Sequence, residues 1–260
     1  MPGDDDMKKR YMIAGAVAGA AAIACAVIGI RSWLQEKNAG SGYEEVREEV
    51  KDNTPEKTEP EETGPSVEIP IDFKSLQERN PDVYAWITVP GTQIDYPILQ
   101  SPDDNSYYLT HTIDGEEKTE GAIFTENYNH TDMEDPNTVI YGHDMKNGSM
   151  FQNLLKYQDR TFFDENREVI IYTPDAIRHY EIFAAYLYDD RHLLQSFNFN
   201  NIDVYRQYLD SIFSIRDMSA CIDTSVKVDT DDKIITLSTC YGSQSDKRYL
   251  VQAVLVTIEK

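Results

Sequence analysis

"KIITLSTCYGSQSDKRYLVQAVLVTI" occupies residues 233–258, and its pattern decides the fold class. Two apolar runs rich in β-branched residues flank a short polar stretch around Gly242. Runs of this kind read as strands, and the break between them as a turn. Similar runs recur upstream. "AWITVPGTQIDYPIL" (85–99) reads as two strands around a Pro-Gly turn, and "GAIFTE" (121–126), "NTVIYGH" (137–143), "EVIIYTP" (168–174) and "RHYEIFAAYLY" (178–188) each read as one more. That makes about eight strands with short gaps. A parallel βαβ sheet needs a helix between most strands, and these gaps are too short for that. The expectation is a mostly-β domain closed into a barrel.

Few helices interrupt the pattern. "IDFKSLQERNPDVYAW" starts as a short helix with Asp72 as its N-cap and Pro81 ending it. "GSMFQNLLKYQD" (148–159) reads as a second helix and "NIDVYRQYLDSIFSI" (201–215) as a third, inserted between late strands. In the third, Val204, Tyr205, Tyr208, Leu209 and Ile212 recur at helical spacing, a stripe expected to pack on the barrel.

The N-terminus is organised differently. "KKR" at 8–10 precedes an uncharged run from Tyr11 to Ile30. Twenty helical residues rise about 30 Å, the thickness of a bilayer core. Residues 1–10 are therefore expected in the cytoplasm, 11–30 as an uncleaved transmembrane signal anchor, and the rest outside. The competing readings are a cleaved signal peptide and a lipoprotein modified at Cys25. Residues 31–66 read as an acidic flexible linker: between 35 and 66 there are ten acidic and four basic residues. Within it, "YEEVREEVK" could form a transient helix. Residues 67–260 are the expected folded domain. The net charge of −22 argues against a nucleic-acid partner, because a phosphate-binding surface needs clustered Lys and Arg.

Of three cysteines, Cys25 lies in the apolar anchor and Cys221, in "DMSACIDTS", has no special neighbours. Cys240 ends a strand before Tyr241-Gly242, where a thiol can be exposed on a rigid support. The bland alternatives are a small core residue at a strand end, or a disulfide with Cys221. A nucleophilic thiol needs a base or a lowered pKa. His143 ends another strand and follows Gly142, which permits close backbone approach. His130, His179 and His192 lie in polar contexts that read as surface, and His111 could pack behind the first strands. Arg248 opens the strand after Cys240. If 241–247 is a loop joining neighbours, its guanidinium returns to the rim of the cysteine, where it could stabilise a developing oxyanion. The alternative is a surface salt bridge.

"TLSTC" with Arg248, "VIYGHDMKNGSMF", "LQERNPDVYAWITVPGTQIDYPILQ", "DNSYYLTH" and "GAIFTE" together resemble the class B sortases, over roughly residues 67–258. These are membrane-anchored cysteine transpeptidases of Gram-positive bacteria. The resemblance implies an eight-stranded sortase barrel with Cys240 as nucleophile, His143 as general acid and Arg248 as substrate and oxyanion ligand. It implies supporting or substrate-binding roles for Asn105, Ser238, Thr239 and Tyr241. The implied partners are secreted proteins bearing a C-terminal sorting motif and a peptidoglycan-precursor amine. No cofactor and no metal is expected; "DTDD" (229–232) reads as a solvated turn. Two other functions are open on sequence: a membrane-tethered cysteine peptidase, and a surface binding domain whose cysteine is structural.

Overall fold

The computed structural model describes residues 29–30, 33–34, 37–52, 67–242 and 244–260. They belong to two compact units, Met1–Asn38 and Ala39–Lys260. In the first, Ile30 and Trp33 are exposed, and Lys37 Nζ lies 5.2 Å from the Trp33 ring centroid. Residues 11–28 of the expected anchor lie outside the described residues. Among those described, no helix is long and apolar enough to cross a membrane.

The second unit is built on β1 (Val83–Thr88), β2 (Asp95–Leu99), β3 (Ile123–Thr125), β4 (Asn137–Tyr141), β5 (Glu168–Thr173), β6 (Ala176–Asp189), β7 (Cys221–Ile222), β8 (Ile234–Tyr241) and β9 (Gln244–Glu259). They form one sheet in the order β5-β1-β2-β3-β4-β8-β9-β6-β7. Because β5 also pairs with β6, eight strands close a barrel, as expected, and β7 hangs on its outside. A two-residue strand pairing only with Ala184 and Ala185 carries no periodicity, so no sequence pattern announces it. Most pairs are antiparallel, but β2–β3 and β4–β8 are parallel.

Side chains alternate across each strand, and the alternation sorts two cores. Ile235, Leu237, Tyr249, Val251 and Ala253 fill the barrel with Trp86, Ile98, Ile123 and Phe151. Their neighbours Ile234, Leu250, Val254 and, on β4, Val139 face outward into a second apolar cluster. That cluster is covered by α5 (Ile202–Phe213), within the long β6–β7 connection that begins with α4 (Leu193–Ser196). Tyr205, Tyr208, Leu209 and Ile212 are buried there, so the stripe packs on the barrel as its spacing predicts. Gln252 Nε2 donates to Tyr208 Oη and to Thr236 Oγ1 (2.9 Å), which ties the helix to the sheet through a buried polar bridge.

Two expectations need correction. First, residues 41–52, read as flexible linker with a transient helix within it, form a packed α1 (Ser41–Asp52), with Tyr43, Val46 and Val50 buried. Arg47 Nε donates to the Asp95 carbonyl (2.7 Å) and its guanidinium stacks over Tyr96. Three apolar side chains at i, i+3 and i+7 make one helical face, which the surrounding glutamates obscure in composition. Second, 148–159 is not one helix. Gly148 and Met150 take positive φ of 89° and 56°, which breaks the turn; a 3₁₀ segment Gln152–Gln158 and the short α3 (Arg160–Glu165) follow. Met150 is fully buried, with its N–H on Tyr96 Oη at 3.0 Å. The first helix of the domain core, α2 (Phe73–Arg79), is capped by Asp72, which accepts from Ser75 N at 3.1 Å.

Candidate active site

β4, β8 and β9 are consecutive neighbours in the barrel wall, and the candidate residues sit at one end of all three. In the parallel β4–β8 ladder Tyr141 pairs with Ser238, and Gly142 N donates to Ser238 O at 3.1 Å. His143 lies two residues beyond Tyr141, and Cys240 two beyond Ser238, so the two emerge at the same level. In the antiparallel β8–β9 ladder Cys240 pairs with Arg248. By alternation all three belong to the outward row of Val139, Ile234 and Leu250. Gly142 makes the approach possible: a Cβ there would lie 2.5 Å from Ile123 Cδ1 and 2.7 Å from Phe151 Cγ.

Beyond Cys240 the chain turns sharply. β8 runs to Tyr241 and β9 starts at Gln244, with Gly242 at φ 54°. Part of 241–247 is therefore hairpin rather than open loop: Tyr241 pairs with Gln244 around the left-handed glycine, and the register shifts before Cys240 meets Arg248. Gly242 N donates to Asp144 Oδ2 (3.1 Å), which links the turn after the cysteine to the residue after the histidine. Burial raises the Asp144 carboxyl above its ordinary value, partly offset by that N–H.

A cavity of about 230 Å³ opens at this end, and Cys240, His143, Arg248, Ser238 and Thr239 line it. Cys240 is partly exposed and free, and Cys221 is free and buried; the two form no disulfide. Burial pushes the Cys221 thiol up, the setting of an inert cysteine. His143 Nε2 lies 2.7 Å from the Leu109 carbonyl. A carbonyl only accepts, so Nε2 carries the proton and Nδ1 is the basic nitrogen of the neutral ring. Arg248 Nη1 donates to the Lys247 carbonyl (2.9 Å).

The other expected residues divide. Ser238 and Thr239 are buried in the cavity wall. Asn105 and Tyr241 do not line it. Asn105 Oδ1 accepts from Asn127 N (2.7 Å), and Tyr241 Oη donates to Gln158 Oε1 (3.2 Å). Sequence reasoning missed Glu126, Tyr188, Asp190, Arg191 and His192, which also line the cavity. His192 looked like a surface residue; it reaches the cavity because the β6–β7 connection folds back over the barrel. Burial, with Glu126 nearby, pushes the Tyr141 hydroxyl up, so it stays a neutral donor. Among the described residues no group of three or more His, Cys, Asp or Glu side chains could hold a metal ion.

The sortase domain family model matches residues 87–256. The chain belongs to the sortase family, in class B. Sortase B of Listeria monocytogenes serovar 1/2a is 36% identical over 192 residues, 73% of this chain and 76% of that protein. The crystal structure of sortase B from B. anthracis in complex with AAEK1 superposes with a TM-score of 0.69 at 30% identity, covering 84% of this chain and 97% of that one. A Staphylococcus aureus sortase B–substrate complex gives 0.63 at 29% identity, over 71% of this chain and 84% of that one. As a class B sortase the protein is a cysteine transpeptidase of the kind that anchors surface proteins to the cell wall. The cysteine ends a barrel strand and follows the histidine in the chain, unlike the helix-borne cysteine of a papain-like peptidase.

Proposed function

We propose that Cys240 is the nucleophile, His143 the acid–base and Arg248 the oxyanion and substrate ligand of this transpeptidase. One observation carries the assignment: the three side chains leave adjacent strands at one level and line one cavity. Cys240 gives its thiol proton to the basic Nδ1 of His143, and the resulting thiolate attacks the carbonyl carbon of the sorting-motif threonine. Negative charge moves to the carbonyl oxygen, where the Arg248 guanidinium offers fixed donors. The C–N bond breaks, and His143 gives its proton to the departing amine. A thioester remains. An incoming amine, relieved of its proton by His143, attacks the thioester carbon and expels the thiolate.

Cavity chemistry supports a peptide ligand. Tyr188 Oη is a buried polar atom without a hydrogen-bond partner among the described residues, and Tyr188, paired with Arg248 across the β6–β9 ladder, lines the cavity. A peptide backbone offers what such an atom needs. We assign the substrate as a secreted protein with a C-terminal sorting motif, and the acceptor as a peptidoglycan-precursor amine. Residues 11–30 are read as a single membrane anchor with 1–10 inside and the catalytic unit outside. Tethering there keeps enzyme, substrate and acceptor at one membrane face, where effective concentration is high.

Mass spectrometry of a sorting-peptide library with residues 39–260 and added amines tests this reading. The expected product joins the peptide, cut after its threonine, to the amine. Hydrolysis alone, indifferent to amine, would make the protein a peptidase.

A further inference from the structure

The cavity that Cys240 lines is braced by a polar pair. Glu126 directly follows β3 and is mostly buried, with a side-chain exposure of 16%. His192 precedes α4, with an exposure of 27%, and its Nε2 meets Glu126 Oε2 in a short contact. His192 Nδ1 accepts from Gln195 N at 3.2 Å, capping α4. A ring nitrogen that accepts carries no proton, so the Nε2 hydrogen is fixed and aimed at the carboxylate. Both atoms of the imidazole are thus committed, one to the first turn of the connection and one to the barrel.

The surroundings make the pair a tie between two segments. Gln195 Nε2 donates to Tyr128 Oη (3.0 Å), and the Tyr128 ring meets His192 edge-on at 5.4 Å. Tyr141 Oη lies 3.5 Å from the same Glu126 oxygen. From behind, Asn105 Oδ1 grips Asn127 N, which steadies the residue after Glu126. Arg191, by contrast, pairs with Asp189, the last residue of β6, two positions before it. The polar bridge from the 190–196 segment to the stretch after β3 therefore runs through His192 and Gln195.

We propose that Glu126 and His192 are positioning residues: their bond sets the width of the peptide groove beside Cys240 by fixing Asp190–Leu193 against β3 and β4. Neither residue exchanges a proton with substrate. The pair acts on binding, and Asn105 supports it from outside the cavity. This inference rests on the transpeptidase reading of Cys240.

Steady-state kinetics on a sorting-signal peptide, with the rate of Cys240 alkylation by a small thiol reagent, test it. Glu126→Ala and His192→Asn are expected to raise KM about tenfold, the worth of one charge-assisted hydrogen bond. Alkylation rate and kcat should stay within about twofold, since a small reagent does not need the groove. Asparagine keeps a cap acceptor for α4 but is too short to reach Glu126, so a capping role alone would leave His192→Asn normal. Glu126→Gln still accepts from Nε2 and should recover most of the affinity. The double variant should lose no more than either single one. Unchanged KM in either single variant overturns the proposal, and so does a fall confined to kcat with slowed alkylation. If Glu126→Ala does not fold, His192→Asn decides alone. A Cys240→Ala variant run alongside separates the two readings: full turnover there refutes the nucleophile, whereas a dead Cys240→Ala with normal KM in His192→Asn refutes only the positioning pair.

Discussion

Cys240 and Arg248 face each other across the β8–β9 ladder as directly paired residues. Opposed residues of an antiparallel pair project to the same side, with Cβ atoms about 4.5–5.5 Å apart. The hairpin therefore delivers a thiol and a guanidinium to one spot without any contribution from a distant loop. His143 joins them from the other flank of β8 through a parallel ladder. The thiol stands between its two partners because β8 lies between β4 and β9.

That pairing makes Arg248→Lys a poor exchange despite the retained charge. A planar guanidinium presents several donors at fixed positions, and a lysine ammonium reaches one oxygen at a time. Loss of a well-placed oxyanion donor costs about 3–4 kcal/mol, or roughly 10²–10³ in rate. Arg248→Lys is expected to lower turnover at least about tenfold, and Arg248→Ala further, with an unchanged circular dichroism spectrum. Near-normal kcat in both would remove Arg248 from the reaction.

The two described cysteines should behave oppositely. Cys240→Ala abolishes thioester formation on the sorting peptide, detected by intact mass. Cys221→Ser keeps turnover and loses modest stability, because its thiol is buried beside β6. In the native 39–260 unit, iodoacetamide should label Cys240 first. Activity surviving in Cys240→Ala sinks the mechanism.

Cutting the chain at residue 67 should cost stability, because α1 belongs to the folded unit. Tyr43, Val46 and Val50 are buried, and burying each such side chain contributes about 1.5–3 kcal/mol before the ordering entropy of the helix is subtracted. Asn147 Nδ2 also donates to the Ala39 carbonyl (2.7 Å), within the segment that follows His143. Residues 67–260 are expected to melt at least about 5 °C below residues 39–260 and to turn over more slowly. Equal melting temperatures would show that α1 contributes nothing net.

Acid should weaken the barrel through Asp223. Hydrogen bonds from Ser225, then the Arg167 guanidinium, hold its carboxyl down to about 2, below the ordinary unfolded value near 3.9. A depressed carboxyl contributes stability that is complete above its unfolded pKa and lost as pH falls toward its folded one. The window is thus about pH 4 down to about pH 2. Arg167 also bonds the Ile182 carbonyl and Glu181, so the cluster braces β6. Asp223→Asn is expected to cost about 1–2 kcal/mol near neutral pH and almost nothing near pH 2, measured by urea unfolding across pH. A difference independent of pH would assign the loss to packing.

Local pattern in the sequence determined much of this protein. Apolar, β-branched runs named the eight barrel strands, Asp72 announced a cap, and the tyrosine–leucine stripe of 204–212 announced a packed helix, because each is written within a few residues. Cys240 at a strand end, with Arg248 just past a glycine turn, was legible for the same reason. The tertiary structure decided what depends on distant segments. Thr138 pairs with Ile235 across almost a hundred intervening residues, and only that register brings His143 level with Cys240. The β6–β7 connection turns His192 from an ordinary polar residue into a wall of the groove beside Glu126. The helical face of Tyr43, Val46 and Val50 was present in the sequence, but its glutamate-rich surroundings read as linker until the barrel supplied the surface that buries it. Local propensity is encoded residue by residue; which faces meet follows from the closure of the whole sheet.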